Sequence, residues 1–224
     1  SLPVNLIVMF KNYLKIAWRN LLRNKVYAVI NIVGLALGIS ACLVIYLSVH
    51  FELSYDNFHP GKENIYRIVS EIGFPQEGFH KLSSVPDPVP EALAGGFAGV
   101  ESMAAIHPIY AKASVTSGNG VVKKFDAPKD GVQKPDIVIT YPAYFRVFQY
   151  TWLAGQAATA LQEPFKVVLT ASKAAKYFGA QPAQNYIGKM VYYNDSIPLT
   201  VSGIVKELPQ NSDLIFSDFI SFAT

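Results

Sequence analysis

Residues 26–51 read VYAVINIVGLALGISACLVIYLSVHF, twenty-six consecutive positions without Asp, Glu, Lys, Arg or Pro. At ~1.5 Å rise per residue, a helix of this length extends roughly 39 Å, enough to cross a ~30 Å hydrocarbon core with some tilt. Its clearly polar interruptions are Asn31 near the start and His50 at the far end. A soluble domain can bury a helix, but an uncharged run this long is rarely just core, and the expectation is a transmembrane helix. The chain then divides into residues 1–25 before the span, 26–51 within it and 52–224 on the opposite side of a bilayer.

Charge orients that division. The formal net charge is +3, but residues 1–25 hold Lys11, Lys15, Arg19, Arg23 and Lys25 and no acid, while the remainder carries 14 basic and 16 acidic side chains. Positive charge close to a span is retained on the cytoplasmic side. The N-terminus is therefore expected inside, and residues 52–224 outside, the cytoplasmic membrane. Because the basic excess is confined to one short segment beside the membrane, it gives no argument for nucleic acid. Cys42 is the single cysteine and falls within the span, so the outer domain must hold together by packing without a disulfide.

Two other readings of the apolar run compete with a retained span. A cleaved signal peptide has an apolar region of only ~7–15 residues ending at small side chains, and here the run is longer with no such site beyond it. Ile39-Ser40-Ala41-Cys42 is similar to a lipoprotein box, yet Leu43 to Leu47 stays apolar where a processed lipoprotein turns polar.

Phe10 to Asn24 reads as an amphipathic helix. Phe10, Tyr13, Leu14, Ala17, Trp18, Leu21 and Leu22 form one apolar stripe at helical period, with Lys11, Lys15, Arg19 and Arg23 recurring every fourth residue beside it. Such a helix suits the membrane interface; the alternative is a solvated basic helix flanking the span. Lys11, Lys15, Trp18, Arg19, Arg23 and Lys25 are thus the expected interfacial residues, and membrane lipid an expected partner. Residues 1–8, SLPVNLIV, stand outside this pattern as an extension before Met9. Within the span, Gly34 and Gly38 make a GxxxG face, continued by Ala41 and Cys42, on which another membrane helix can pack closely.

Beyond the span the texture changes to short alternating segments broken by Pro, Gly and Asn. Strands are expected at 65–72, 136–140, 165–169, 188–193 and 199–205, and a hairpin over 107–116 and 121–125 with its turn at 117–120. Helices are expected at 88–97, 142–148 and 170–178, the last with Thr170 as N-cap and Gly179 as stop. The outer domain is therefore expected to be α+β, with mixed short strands and helices. Tyr141, Tyr144, Phe145, Phe148, Tyr150 and Trp152 form an aromatic concentration that suits core, the alternative being a binding face.

Local signatures of chemistry are missing. Gly188-Lys189 lacks the preceding glycine and following hydroxyl of a phosphate-cradling loop, and no GxSxG occurs. His50, His59, His80 and His107 lie without metal-ligand spacing. No catalytic residue, cofactor or metal is expected, and an enzyme is disfavoured.

The run from Phe10 to Lys25, continuing into Asn31-Ile32-Val33-Gly34-Leu35-Ala36-Leu37-Gly38, resembles the start of ABC transporter permeases of the MacB/FtsX class, in the versions common in Bacteroidetes-type bacteria. Further blocks agree in order: Glu52-Leu53-Ser54-Tyr55-Asp56 with Phe58-His59, then Ile65-Tyr66-Arg67. Next come Tyr144-Phe145 to Phe148, Val167 to Thr170 and Ala175 to Gly179. The last are Ile187-Gly188-Lys189, Val201 to Val205, and Leu208-Pro209-Gln210-Asn211-Ser212. The acidic residue usual in the family is replaced in Leu153-Ala154-Gly155-Gln156. The resemblance implies a MacB-like periplasmic core domain following the first span, in a bacterial inner-membrane permease with further spans after Thr224. It also implies a cytoplasmic ABC ATPase as a separate subunit, a second permease copy or homologue, a periplasmic adaptor or lipoprotein as a further partner, and export or extraction of antibiotics, peptides or lipoproteins. The alternative class is a single-span, membrane-anchored ligand-binding or sensor domain.

Overall fold

The structure, a computed structural model, describes residues 3–75, 78–86, 88–94, 99–116, 120–128, 133–209 and 211–224. Two units separate, Ser1–Ser54 and Tyr55–Thr224.

The first unit is helical. Helix α1 covers Pro3–Arg23 and helix α2 covers Lys25–Glu52. The sequence places the start of α1 at Phe10, with residues 1–8 outside the pattern; the helix instead begins at Pro3. Nothing in residues 3–9 stops a helix, and proline is tolerated in the first turn, where its missing N–H has no partner to lose. Between the helices only Asn24 leaves helical geometry, at φ −112° and ψ 60°. Hydrogen bonds continue on either side, from Asn24 N–H to the Asn20 carbonyl and from Ala28 N–H to the Asn24 carbonyl, both 3.0 Å. Helix α2 is long and apolar enough to cross a membrane, and none of its most apolar stretch is buried.

In the second unit, strands β1 (Ser70–Phe74) and β2 (Gly78–Leu82) form an antiparallel hairpin outside the main sheet. A short helix α3 follows at Pro88–Ala94. The strand expected over 65–72 thus starts later, at Ser70: residues 65–69 run without ladder pairing, and the Arg67 side chain donates to the Ser83 carbonyl. Residues 95–97 of the helix expected over 88–97, and residues 117–119 of the expected hairpin turn, lie outside the described residues.

The main sheet takes its strands from β3 (His107–Ile109), β4 (Ala113–Thr116), β5 (Val122–Phe125), β6 (Ile137–Thr140), β7 (Trp152–Ala154), β8 (Lys166–Thr170), β9 (Met190–Tyr193), β10 (Ile197–Val205) and β11 (Asp218–Ser221). Their order is β3-β6-β11-β8-β10-β9-β4-β5, with β7 paired to the end of β10. The β8/β10 and β6/β11 pairs are parallel and the others antiparallel.

Residues 107–116, expected as one strand, are two strands at distant places in this order, with only residues 110–112 between them. The four residue steps from Ile109 to Ala113 reach at most ~14 Å. Six strand spacings in a flat sheet would need ~29 Å. The sheet must therefore curl so that its ends approach. Pro108, which has no N–H for a second neighbour, sits on the edge strand β3, as its chemistry requires.

Alternation along the strands builds two apolar cores. Val115, Ile137, Val167, Leu169, Val191, Tyr193, Leu199, Val201 and Ile204 point to one, which helix α5 (Ala171–Phe178) enters through Ala174 and Tyr177. Val138, Val168, Val205 and Phe219 point to the other, with Tyr144 and Phe145 of helix α4 (Ala143–Phe148). A period of two fails once: Val201 and Ile204, three apart, face the same core. The register of β10 against β8 shifts between Val201 and Gly203, and the extra residue, Ser202, restores the alternation. The bulge is tightly packed. A Cβ on Gly203 would lie 2.5 Å from the Trp152 ring, and one on Gly155, at φ +80°, 2.5 Å from the Ser202 carbonyl oxygen.

The aromatic concentration falls mostly in the second core, where Tyr144, Phe145, Phe148, Tyr150, Trp152 and Phe219 pack mainly edge-on or tilted. Tyr141 lies apart, stacked on Phe222 at 4.3 Å. Thr170 occupies the N-cap position of α5 but makes no capping bond. That bond comes from elsewhere: Glu207 accepts the Ser172 N–H. Burial alone would raise the Glu207 carboxyl, but hydrogen bonding, first of all from the Ser172 N–H, holds it below its ordinary range.

Candidate functional site

Lys11, Lys15, Trp18, Arg19 and Arg23 are all exposed on α1, as is Lys25 at the start of α2. Successive positions four apart turn by about 40°, so Lys11, Lys15, Arg19 and Arg23 form one slowly winding row. Trp18 emerges at the seam between this row and the apolar stripe. Gly34 and Gly38 are exposed on one face of α2, and a Cβ at either would meet nothing within 4 Å. The structure thus leaves the residues singled out from the sequence on open helical surface within the first unit.

A site that sequence reasoning missed lies at the start of the second unit. Asp56 adopts φ 54°, a left-handed conformation that Asp tolerates better than most residues. There its N–H donates to the Asn211 carbonyl (3.1 Å), while its carboxylate accepts the Ser212 hydroxyl (2.5 Å) and the Asp213 N–H (3.3 Å). The ring of buried His59 packs tilted against Phe58 and edge-on against Phe148 of α4, with its Nε2 3.7 Å from the Asp56 carboxylate. The Ser212 hydroxyl also accepts the Leu214 N–H, which fixes the turn it caps. Two blocks about 155 residues apart, 55–59 and 211–213, are therefore clasped together. Each was visible as a block of the family resemblance. Their contact was not, because no local pattern signals a pairing at that separation.

The other concentration of chemistry is a buried ionic cluster. Asp218, fully buried on β11, accepts the hydroxyls of Tyr177 (2.8 Å) and Tyr193 (2.6 Å) on one oxygen and of Ser217 (3.0 Å) on the other. Lys173 on α5 lies 2.6 Å from Asp136 and 3.5 Å from Asp218. Burial raises the Asp218 carboxyl above its usual range, against the opposing pull of Lys173. Burial by itself would lower Lys173, but the charges of Asp218 and Asp136 prevail and raise it. Tyr177 and Tyr193 are raised, chiefly by burial and then by the Asp218 charge. Lys173, Asp136 and Tyr177 also line a cleft of about 200 Å³ with Phe125, Gln133 and Lys176. The cluster's hydroxyls and ammonium are committed to its two carboxylates, so it is chemistry spent on holding α5, β9 and β11 together. No signal in the sequence marks Asp218: a fully buried acid inside DFIS hides the short strand β11 itself. Among the described residues no group of three or more His, Cys, Asp or Glu side chains could hold a metal ion.

A family model for the MacB-like periplasmic core domain matches residues 28–224, starting inside α2 and running through the whole second unit. No curated protein matches the chain. Among solved structures, the chain is similar to a crystal structure of a domain assigned to a permease protein from Porphyromonas gingivalis. The identity is 18%, the TM-score 0.46, and the likeness covers 69% of this chain and 63% of that one.

Proposed function

The chain belongs to the family of MacB-like periplasmic core domains, and from that premise we propose that it is the N-terminal part of an ABC transporter permease subunit. The observation that carries this reading is the continuous family match from within the apolar helix to Thr224. In this reading α2 spans the bacterial inner membrane over 26–51, residues 1–25 lie in the cytoplasm with α1 in the interface, and residues 52–224 form the periplasmic domain.

The chain itself performs no hydrolysis. A cytoplasmic ABC ATPase subunit supplies the work, a second permease copy or homologue completes the assembly, and Gly34 and Gly38 pack α2 against another membrane helix. Movement of the chain leaving α2 is passed into the periplasmic domain through the Asp56 clasp, which ties residues 55–59 to the 211–213 turn and to Phe148. The substrate class is exported or extracted material of the antibiotic, peptide or lipoprotein kind, with a periplasmic adaptor or lipoprotein as a further partner.

Affinity purification of the full-length protein from its native membrane, followed by mass spectrometry, tests the reading. An ABC-type ATPase recovered in stoichiometric amount supports it. Recovery of the protein alone, in detergent that holds a known transporter together, would instead favour a single-span anchored ligand-binding domain.

A further inference from the structure

Helix α1 carries an unneutralised charge. Lys11, Lys15, Arg19 and Arg23 are spaced four apart, all are exposed, and residues 1–25 contain no acid. Among the described residues none of these four, nor Lys25, has an ion-pair partner in the chain. Like charges four apart on a helix repel and disfavour it, so the row as folded is locally unfavourable and gains from any dense anionic surface laid against it. The row runs roughly 18 Å along the helix. It is flanked by an apolar stripe with Trp18 at the seam, the arrangement of a helix lying at headgroup depth.

We propose that α1 is a selective docking surface for anionic phospholipid headgroups, with the Lys11–Lys15–Arg19–Arg23 row seated on lipid phosphates and the apolar stripe facing the acyl chains. Guanidinium groups suit this through paired N–H bonds to phosphate oxygens, and ammonium groups through point charge. The inference rests on the interfacial reading of α1 and adds to it a preference among lipids. It commits to the membrane as the source of the anions, because the apolar stripe alongside requires a hydrocarbon phase that an acidic protein surface does not offer.

Trp18 is a built-in reporter, since the only other tryptophan, Trp152, lies in the second core. The chain is placed in lipid nanodiscs containing equal fractions of phosphatidylglycerol and phosphatidylcholine, with one or the other brominated. Trp18 emission is isolated by difference against Trp18→Phe. The expected result is quenching that reports at least about fivefold local enrichment of phosphatidylglycerol at low salt, on the scale of one basic side chain near an anionic surface. That enrichment declines at high salt, where exposed charges are screened.

It disappears in the variant Lys11→Gln/Lys15→Gln/Arg19→Gln/Arg23→Gln and survives in the charge-preserving Lys11→Arg/Lys15→Arg. Equal quenching by both lipids overturns the anionic preference while leaving the interfacial helix standing. Quenching by neither lipid overturns the interfacial helix, and the lipid contact with it.

Discussion

Asp218 is the residue on which the outer domain's polar interior depends. Its carboxylate accepts two buried tyrosine hydroxyls and faces Lys173, so its removal strands both hydroxyls in a low-dielectric interior and leaves Lys173 with Asp136 alone. Breaking one partner out of such a cluster costs about 3–5 kcal/mol, whereas replacing charged partners together by apolar ones costs much less. Asp218→Ala is expected to destabilise the domain on that scale, and adding Lys173→Met to recover part of the loss. Urea unfolding of the two variants checks this; a strictly additive double variant would show that the two groups are not coupled.

Asp56 makes a second case at the same scale. Hydrogen bonds to a charged acceptor contribute about 1.5–3 kcal/mol. A double-mutant cycle between Asp56→Asn and Ser212→Ala should therefore return a coupling of about 1 kcal/mol or more, since the amide is a weaker acceptor but keeps the left-handed φ. A coupling near zero would remove the clasp from the mechanism.

At the scale of elements, the β10 bulge and the α2 face carry the sharpest expectations. Gly203 lies under the Trp152 ring, so Gly203→Ala forces the indole or the β10 backbone to move. Overpacking of this kind costs about 1–3 kcal/mol. The loss should show in thermal unfolding, and trimming the ring with Trp152→Leu in the same chain should relieve the clash. If Gly203→Ala is as stable as the parent, β10 does not need the close approach. On α2, Gly34→Leu with Gly38→Leu should leave the outer domain folded, because both positions are exposed in the first unit and a Cβ at either meets nothing within 4 Å. The same pair should weaken assembly with the ATPase in the full-length protein. Intact assembly would mean that the small face is not a packing surface.

At the scale of the whole molecule, the response to high pH comes from buried tyrosines and Lys173. Tyr144, Tyr150, Tyr177 and Tyr193 are all raised above the ordinary tyrosine value, burial being the largest cause in each, and Lys173 is raised as well. A group raised in the folded state contributes stability that is complete below its unfolded pKa and is lost as pH climbs through the folded value. Unfolded tyrosine and lysine titrate near 10–10.4, so the outer domain should lose stability from about pH 10 upward. Four of the 13 tyrosines should withhold their tyrosinate absorbance until the fold is lost. Absorbance at 295 nm followed alongside circular dichroism checks this. Titration of all the tyrosines near pH 10 with the fold intact would contradict the buried network.

What the sequence by itself determined is whatever local periodicity and composition can express. Twenty-six uncharged residues specify a helix long enough to span a bilayer, the four-residue spacing from Lys11 to Arg23 specifies an amphipathic basic helix, and IVIT, KVVLT and MVYY read as strands because their neighbours are β-branched or aromatic. The ordered blocks from Phe10 to Ser212 were enough to point to the family. Only the tertiary structure decided which distant segments meet. It separated residues 107–109 from 113–116 across a curled sheet, clasped Asp56 to Ser212, capped α5 with Glu207 in place of Thr170, and buried Asp218 in a strand that its composition conceals. Each of these contacts is fixed by burial and hydrogen bonding between groups far apart along the chain. A linear pattern carries the preference of each residue for its own neighbours, but the partner that satisfies a buried polar group exists only once the sheet has closed around it.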